Sequence, residues 1–419
     1  MQTYHRTIYL EMIKKSLRNE KLVVLYWQRQ VWKTTLMEIL MQDNDLKLEK
    51  KIFSFEDTQK RNFKSKQEFV DLLSFNLNID FKKEGYLFLD EVQYVENIVW
   101  ILKSIYDDKK FKIKIVATGS WMWNIPTQAW SSLVWRWEEV FVYPFSFEEF
   151  LWIKWINTDF LNLKKYSEII WEEIFDLYKE YLIWWGYPEV IKAKTETKKQ
   201  RELQKIIKRF FEKDVNFWFT KDDFIEFEKI YFYLYQNVWN LLKIENISNI
   251  TWIWVRKVKK YLTFLKRSLV IFEVKPYFQD KSKEIFSQAN MYLSDLGIFS
   301  FLWKNYWNKI MDGKVIENFI FLELQKKITE KEIKFYKKRN GTEIDFILEN
   351  WDGKIIPIEV KSNDNFTIPK IFYSFKKDFD EKTIFFVKTT RKKIWENEIE
   401  NKKILFVPNF LIWKIDLIN

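Results

Sequence analysis

Residues 27–35, "WQRQVWKTT", place a lysine and two threonines where a chain could grip phosphate. A strand-like run, "KLVVLY", precedes them, and a helix-like run, "KTTLMEILMQ", carries on from Lys33. In such a setting Lys33 would reach the β- and γ-phosphates of a nucleotide and Thr34 would ligate Mg²⁺. The spacing is that of G-x-x-x-x-G-K-[ST], with Trp27 and Trp32 in the two glycine positions. The candidate ATP-binding residues are Trp27, Gln28, Arg29, Gln30, Val31, Trp32, Lys33, Thr34 and Thr35. A phosphate loop wants glycine because its turn uses backbone angles that a Cβ disfavours. Its amides must also approach the phosphates closely at a helix N-terminus. An indole would occupy that space.

The mismatch is not confined to this loop. The chain has 22 Trp and only 7 Gly. Together they are 29 of 419 residues, about the 7% that glycine alone usually supplies. Many of the tryptophans sit at chain punctuation, where glycine is expected. "ENWDGK" (349–354) joins two strand-like runs, "NITWIWVRKVKKYL" has two where a turn would join helices, and "YLIWWGYPEV" has two beside Gly186 and Pro188. One account is a gene whose UGA codons mean glycine but have been read as tryptophan. The other is a chain that truly is rich in tryptophan; Trp218, Trp395 and Trp413 have apolar neighbours that suit a real indole.

Downstream, "GYLFLDEVQYV" (85–95) is an apolar run ending in Asp90-Glu91. A buried strand of this kind delivers an aspartate to the Mg²⁺ shell, and the next acid can polarise an attacking water. A strand that simply ends in two acids is the plainer alternative. "FKIKIVATGS" (111–120) is a second buried-strand pattern, with Thr118 and Ser120 at its tip. In a parallel sheet it would end beside the first, where Ser120 could sense the γ-phosphate, or it could be an ordinary strand-end turn.

The series "YWQRQVWKTTL", "LFLDEVQ", "ATGS", "SLVWRWEEVFVYPFSFEEFL" and "YLIWWGYPEV" resembles the AAA+ type P-loop ATPases of bacteria and archaea that carry a C-terminal domain of unknown function. The resemblance covers the whole chain, and its departures, at Trp27, Trp32, Trp135 and Trp185, are nearly all tryptophan for glycine. It implies ATP and Mg²⁺ as cofactors. It also suggests Arg136 as a sensor or arginine finger, which would stabilise charge on a transferring phosphate; the alternative is a surface salt-bridge arginine.

Further along, "LLKIENISNITWIWVRKVKKYLTFLKRSLVIFEVKPYF" (241–278) reads as helix, turn, helix and strands, a winged-helix outline. Arg256, Lys257, Lys259 and Lys260 fall on its second helix, where a recognition helix would meet a groove or present a solvated basic face. In "VIENFIFLELQKK" a helix carries Glu317 and Glu323, and "TEIDFILEN" and "KIIPIEVKSN" read as paired strands. Glu359 and Lys361, two apart, point to one face, with Asp345 on the neighbouring strand. This resembles the PD-(D/E)xK nuclease core, which implies Asp345 and Glu359 on Mg²⁺, with Lys361 stabilising charge at a scissile phosphate. A plain Glu359–Lys361 ion pair on a solvent face is the alternative.

The totals bound these readings. Cysteine is absent and His5 is the one histidine, which excludes disulfides, thiolate metal sites, cysteine nucleophiles and multi-histidine metal sites. No run of about 18 apolar residues stands out as a membrane span, and the N-terminal stretch lacks a secretory pattern, so the expected location is the cytoplasm. The net charge of +11 permits contact with DNA or RNA, although the basic residues are scattered. The expected fold class is α/β: a three-layer P-loop AAA+ core over 1–150, a helical region over 151–225, a winged-helix-like segment over 226–284, and a restriction-endonuclease-like α/β domain over 285–419. The expected function is Mg-dependent ATP binding and hydrolysis, with action on nucleic acid or through a protein partner left open. The alternative is an ATP-gated regulatory or scaffold protein with an inactive nuclease-like domain.

Overall fold

A computed structural model describes residues 6–19, 22–27, 33–56, 61–119, 137–156, 158, 168–237, 243–278, 280–303, 312–327, 332–338 and 340–414. It divides into two compact units, Met1–Pro144 and Phe145–Asn419.

In the first unit, α1 (Thr7–Arg18), β1 (Leu22–Trp27), α2 (Lys33–Gln42), β2 (Glu49–Ser54), α3 (Lys66–Leu77), β3 (Gly85–Asp90), α4 (Ile98–Tyr106), β4 (Ile113–Gly119) and β5 (Trp137–Val142) follow in order. The strands form a five-stranded sheet, β2-β3-β4-β1-β5, and every pairing is parallel. Continuous apolar runs produce this arrangement, because a central parallel strand is covered on both faces. β3, "GYLFLD", is buried at all six positions. Helices α3 and α4 bury Phe69, Val70, Leu73, Ile98, Ile101 and Leu102 against Leu87, Leu89, Ile115 and Ala117. The Ser65 side chain starts α3 by accepting from the Glu68 N–H, and Asn78 ends it in the left-handed region. Because all the strands run the same way, β1, β3 and β4 deliver their carboxyl ends to one edge.

The second unit opens with α5 (Phe147–Ile153), fixed by a capping box between Ser146 and Glu149. Then come α6 (Glu168–Trp184), α7 (Pro188–Lys192), α8 (Glu196–Arg209), α9 (Lys221–Asn237), α10 (Ile244–Thr251) and α11 (Val255–Arg267). The rest alternates β6 (Ile271–Pro276), α12 (Lys281–Phe286), β7 (Asn290–Leu293), α13 (Leu296–Leu302), α14 (Gly313–Lys327), β8 (Glu332–Lys337), β9 (Glu343–Glu349), β10 (Ile355–Glu359), α15 (Lys370–Phe379), β11 (Phe386–Thr390), β12 (Trp395–Ile399) and β13 (Lys402–Pro408). These strands make one mixed eight-stranded sheet, β12-β13-β11-β10-β9-β8-β6-β7. α15 lays Ile371, Phe372, Phe375 and Phe379 over Ile344, Ile347, Ile355, Phe386 and Ile404.

The helix pair expected in 241–267 is present as α10 and α11. The strand after it differs from a free-standing wing. β6 pairs antiparallel with β7 and parallel with β8, so both of its edges are used inside the large sheet.

Tryptophan marks several turns, as its placement in the sequence suggests. Trp155, Trp185 and Trp252 have φ of 65°, 59° and 60°. This is the left-handed region, which costs a residue with a Cβ roughly 1–2 kcal/mol. Trp252 ends α10, and Trp254 stands at the N-cap of α11. Trp155, Trp252, Trp254 and Trp351 are almost fully exposed. Trp413, by contrast, is buried and donates its Nε1–H to the Phe410 carbonyl at 2.8 Å.

Candidate functional sites

The first site forms where β3 and β4 end. Asp90 and Glu91 are buried there, as is Thr118. The Thr118 hydroxyl donates to Asp90 Oδ1 at 2.5 Å, and the Glu91 backbone N–H donates to the same oxygen at 3.0 Å. Glu91 takes φ 53°, a sharp turn out of the strand, and caps a single turn of 3₁₀ helix over Val92–Tyr94. The Gln93 amide N–H₂ donates to the Glu91 carboxylate. Gly119 closes β4 beside it: a Cβ there would lie 2.9 Å from Gln93 Oε1.

β1 lies next to β4, pairing Tyr26 with Gly119, and ends at Trp27. α2 begins at Lys33. The strand and helix expected to flank the phosphate loop are therefore in place. Gln28, Arg29, Gln30, Val31 and Trp32 lie outside the described residues, as do Ser120, Trp135 and Arg136. Lys33, Thr34 and Thr35 open α2, and Asp90, Glu91 and Thr118 gather at the β3–β4 edge. Gln93 was missed in the sequence. Its signal was present in "DEVQ", two residues after Glu91, but a glutamine there has no assigned chemistry until the turn brings it back.

The second site lies on the large sheet. Asp345 on β9 is next to the end of β10, where the Val360 N–H donates to its Oδ2 at 2.7 Å. Glu359 is buried, and its Oε1 meets Lys361 Nζ at 2.6 Å, while its Oε2 has no partner. Lys361 falls just past the end of β10, yet its side chain returns to the Glu359 side, and its backbone N–H donates to Thr389 Oγ1 at 2.8 Å. Glu317 reaches in from α14, held by the Tyr292 hydroxyl at 2.8 Å and Lys314 at 2.9 Å.

Burial pushes the Asp345 carboxyl well above the usual carboxylate range, and the charges of Glu359 and Glu317 push it further. Burial also raises Glu359, against the pull of Lys361. Burial would lower Lys361, but the neighbouring Glu359 outweighs it and leaves the ammonium strengthened. Asp345, Glu317, Glu359 and Lys361 therefore share one electrostatic neighbourhood. The ion pair offered as the plain alternative is also there, but its Glu359 end is not on a solvent face. Among the described residues, no three acidic side chains converge as a ready metal cage.

The basic helix α11 is partly neutralised within its own unit. Lys257 pairs with Glu226 at 2.7 Å and Lys260 with Asp223 at 2.9 Å. Arg256 and Lys259 are exposed. Among the described residues, no helix is long and apolar enough to cross a membrane.

Residues 19–151 match the family model described as AAA domain, and residues 175–308 and 312–409 match two domains of unknown function, DUF8612 and DUF4143. An uncharacterized protein of Methanocaldococcus jannaschii is 28% identical over 317 residues, covering 74% of this chain and 68% of its own. One of Haemophilus influenzae is 25% identical over 375 residues, covering 86% of this chain and 85% of its own. Among solved structures, the ORC1 protein of Aeropyrum pernix in complex with DNA overlaps 73% of this chain and 94% of its own, at 10% identity and a TM-score of 0.31. In its first unit the chain thus has an α/β fold with a five-stranded parallel sheet, over residues that match the AAA domain.

Proposed function

We propose that the chain binds ATP with Mg²⁺ and hydrolyses it where β1, β3 and β4 end. The observation that carries this reading is the buried Asp90–Glu91 pair, with Thr118 fixing Asp90 from the neighbouring strand. A single oriented carboxylate with a threonine at the head of α2 suits Mg²⁺, which takes few protein oxygens and keeps its phosphates and waters. Asp90 and Thr34 would hold the ion, and its chemistry is to neutralise charge on the β- and γ-phosphates. Glu91 accepts a proton from the water that attacks the γ-phosphorus, as the bond from that phosphorus to the β–γ bridging oxygen breaks and ADP leaves. Lys33 contacts the phosphates, and Ser120 and Arg136 complete the site around the γ-phosphate.

This reading takes residues 27, 32, 135 and 185 as glycine in the natural protein, encoded by UGA. Support comes from the left-handed backbone at Trp185, Trp155 and Trp252. Trp185 is also buried with its Nε1–H unpartnered, a loss of about 1–3 kcal/mol that glycine would not incur. The gene decides the point: UGA at these codons upholds it and UGG overturns it. The activity test uses the chain with glycine at those four positions. Lys33→Ala should abolish ATP binding, and Glu91→Gln should keep binding but lose turnover. Binding that survives Lys33→Ala unchanged would overturn the reading.

A second reading concerns Asp345, Glu359 and Lys361 with Glu317, as a PD-(D/E)xK-like site acting on nucleic acid with Mg²⁺. The unpartnered Oε2 of the buried Glu359 favours it. Mg²⁺-dependent cleavage of DNA or RNA that disappears in Asp345→Ala would support this reading. ATP binding with no nucleic-acid affinity would instead support an ATP-gated scaffold acting through a protein partner, located in the cytoplasm. On either reading, we take the ATPase core as 1–150, with its last residues from Phe145 packed in the second compact unit, the helical region as 151–225, the winged-helix-like segment as 226–284 and the nuclease-like domain as 285–419.

A further inference from the structure

We infer that Gln93 is a positioning residue for Glu91, bonded to that carboxylate beside the tip of β4. The inference rests on the ATPase reading and adds a residue to it. Three observations carry it.

First, the Gln93 amide N–H₂ donates to the Glu91 carboxylate, which fixes the side chain of the acid that must face the water. Glu91 itself sits on a left-handed turn just past the end of β3.

Second, this hydrogen bond orients the amide. A carboxylate only accepts, so the NH₂ must face Glu91 and Oε1 must face away. Oε1 points at Gly119, where an added Cβ would lie 2.9 Å from it. Glycine at the end of β4 therefore makes room for the clamp.

Third, Gln93 Oε1 is buried and has no partner. A buried unmet acceptor is costly, and here it stands at the strand tip that ends beside β1. The amide thus bonds the acid through its NH₂ and leaves Oε1, without a partner, beside the space a Cβ at Gly119 would take. A shift of that tip when nucleotide enters would be felt at Glu91 through one rigid planar group.

The role is distinct from binding ATP, so it predicts a split. Gln93→Ala should lower kcat by about 10- to 100-fold, as small misplacements of reacting groups do, with KM for ATP unchanged. Gln93→Glu sets carboxylate against carboxylate and removes the donor. Its kcat should fall as in Gln93→Ala, with KM for ATP again unchanged. Gly119→Ala should reproduce the kcat loss by pushing on Oε1, and adding it to Gln93→Ala should cost nothing more.

These variants are made in the chain with glycine at 27, 32, 135 and 185, and steady-state ATP hydrolysis is followed from pH 5 to 9. A Gln93→Ala enzyme with parental kcat, or one changed only in KM, overturns the inference, as do additive losses in the double variant. A parent chain that binds no ATP overturns the ATPase reading and this inference together. A parent that hydrolyses ATP beside an unaffected Gln93→Ala overturns the inference alone.

Discussion

Thr118 donates its hydroxyl to Asp90 Oδ1 at 2.5 Å, from a position where it is itself fully buried. One strand thereby sets the direction of the carboxylate on the next. Thr118→Val keeps the shape and removes the donor. A hydrogen bond to a charged group contributes about 1.5–3 kcal/mol, so urea unfolding should show a loss of that order. ATP turnover should fall roughly 10-fold or more. Thr118→Ser should restore most of both.

The left-handed tryptophans give a stability test that needs no activity. Trp155→Gly and Trp252→Gly should each stabilise the chain by about 1 kcal/mol, because both indoles are exposed and bury little. Trp413→Gly should instead cost about 3–5 kcal/mol, since that ring is packed and hydrogen-bonded. Chemical denaturation of the three variants checks the ordering. Equal losses at all three positions would contradict it.

Asp295 makes stability depend on pH. It is fully buried, and its Oδ1 accepts from the Ile298 N–H at the start of α13. Burial pushes its carboxyl up to about 7, against hydrogen bonds from Ile298 and Tyr187 and the charge of Lys326. An acid whose pKa is higher when folded binds its proton more tightly in the native state. Its contribution is therefore full below about pH 4 and is lost as pH rises through about 7. At ~1.4 kcal/mol per pH unit, the loss is bounded at about 4 kcal/mol. Asp295→Asn keeps an Oδ1 acceptor and cannot ionise. It should flatten the decline in stability between pH 4 and 7 and be the more stable form at pH 8, as measured by urea unfolding at each pH.

The pairing on α11 sorts its cations for a nucleic-acid test. Arg256 and Lys259 are exposed, whereas Lys257 and Lys260 are held by Glu226 and Asp223. If this helix meets phosphate, Arg256→Ala and Lys259→Ala should each reduce the salt slope of DNA binding by about 1. Lys257→Ala and Lys260→Ala should change it less. Fluorescence anisotropy over a salt series gives the slopes.

Much of this was legible in the sequence where one local cause dominates. The buried run "GYLFLD" could only be a central strand, and its final acid, with Glu91 after it, had to emerge at the sheet edge. "ENWDGK" declared its hairpin, and Gly353 takes φ 71° there. Legibility failed where a partner comes from far along the chain. The helix-turn-helix outline could be read locally, but the pairing of β6 with β8, about 60 residues later, could not. Glu317 was named, but nothing local pointed to Tyr292 as its holder. Gln93 was passed over because its meaning depends on Gly119, a residue on another strand.

Glu323 bears on how the chain can be cut. It is buried on α14, where it accepts from the Phe147 N–H at 3.1 Å and meets Lys326 at 2.9 Å. Phe145 exchanges a further bond with Gly186, whose backbone lies so close that a Cβ would come within 2.1 Å of the Phe145 carbonyl oxygen. By pattern, "PFSFEEF" looks like the tail of the nucleotide domain, yet from Phe145 on it belongs to the second unit, where the Phe147 N–H meets Glu323. A cut at residue 150 would take the Phe147 N–H from Glu323 and leave it with Lys326 alone among the partners just named. Dissection, domain exchange and fusion should all respect a seam at Pro144.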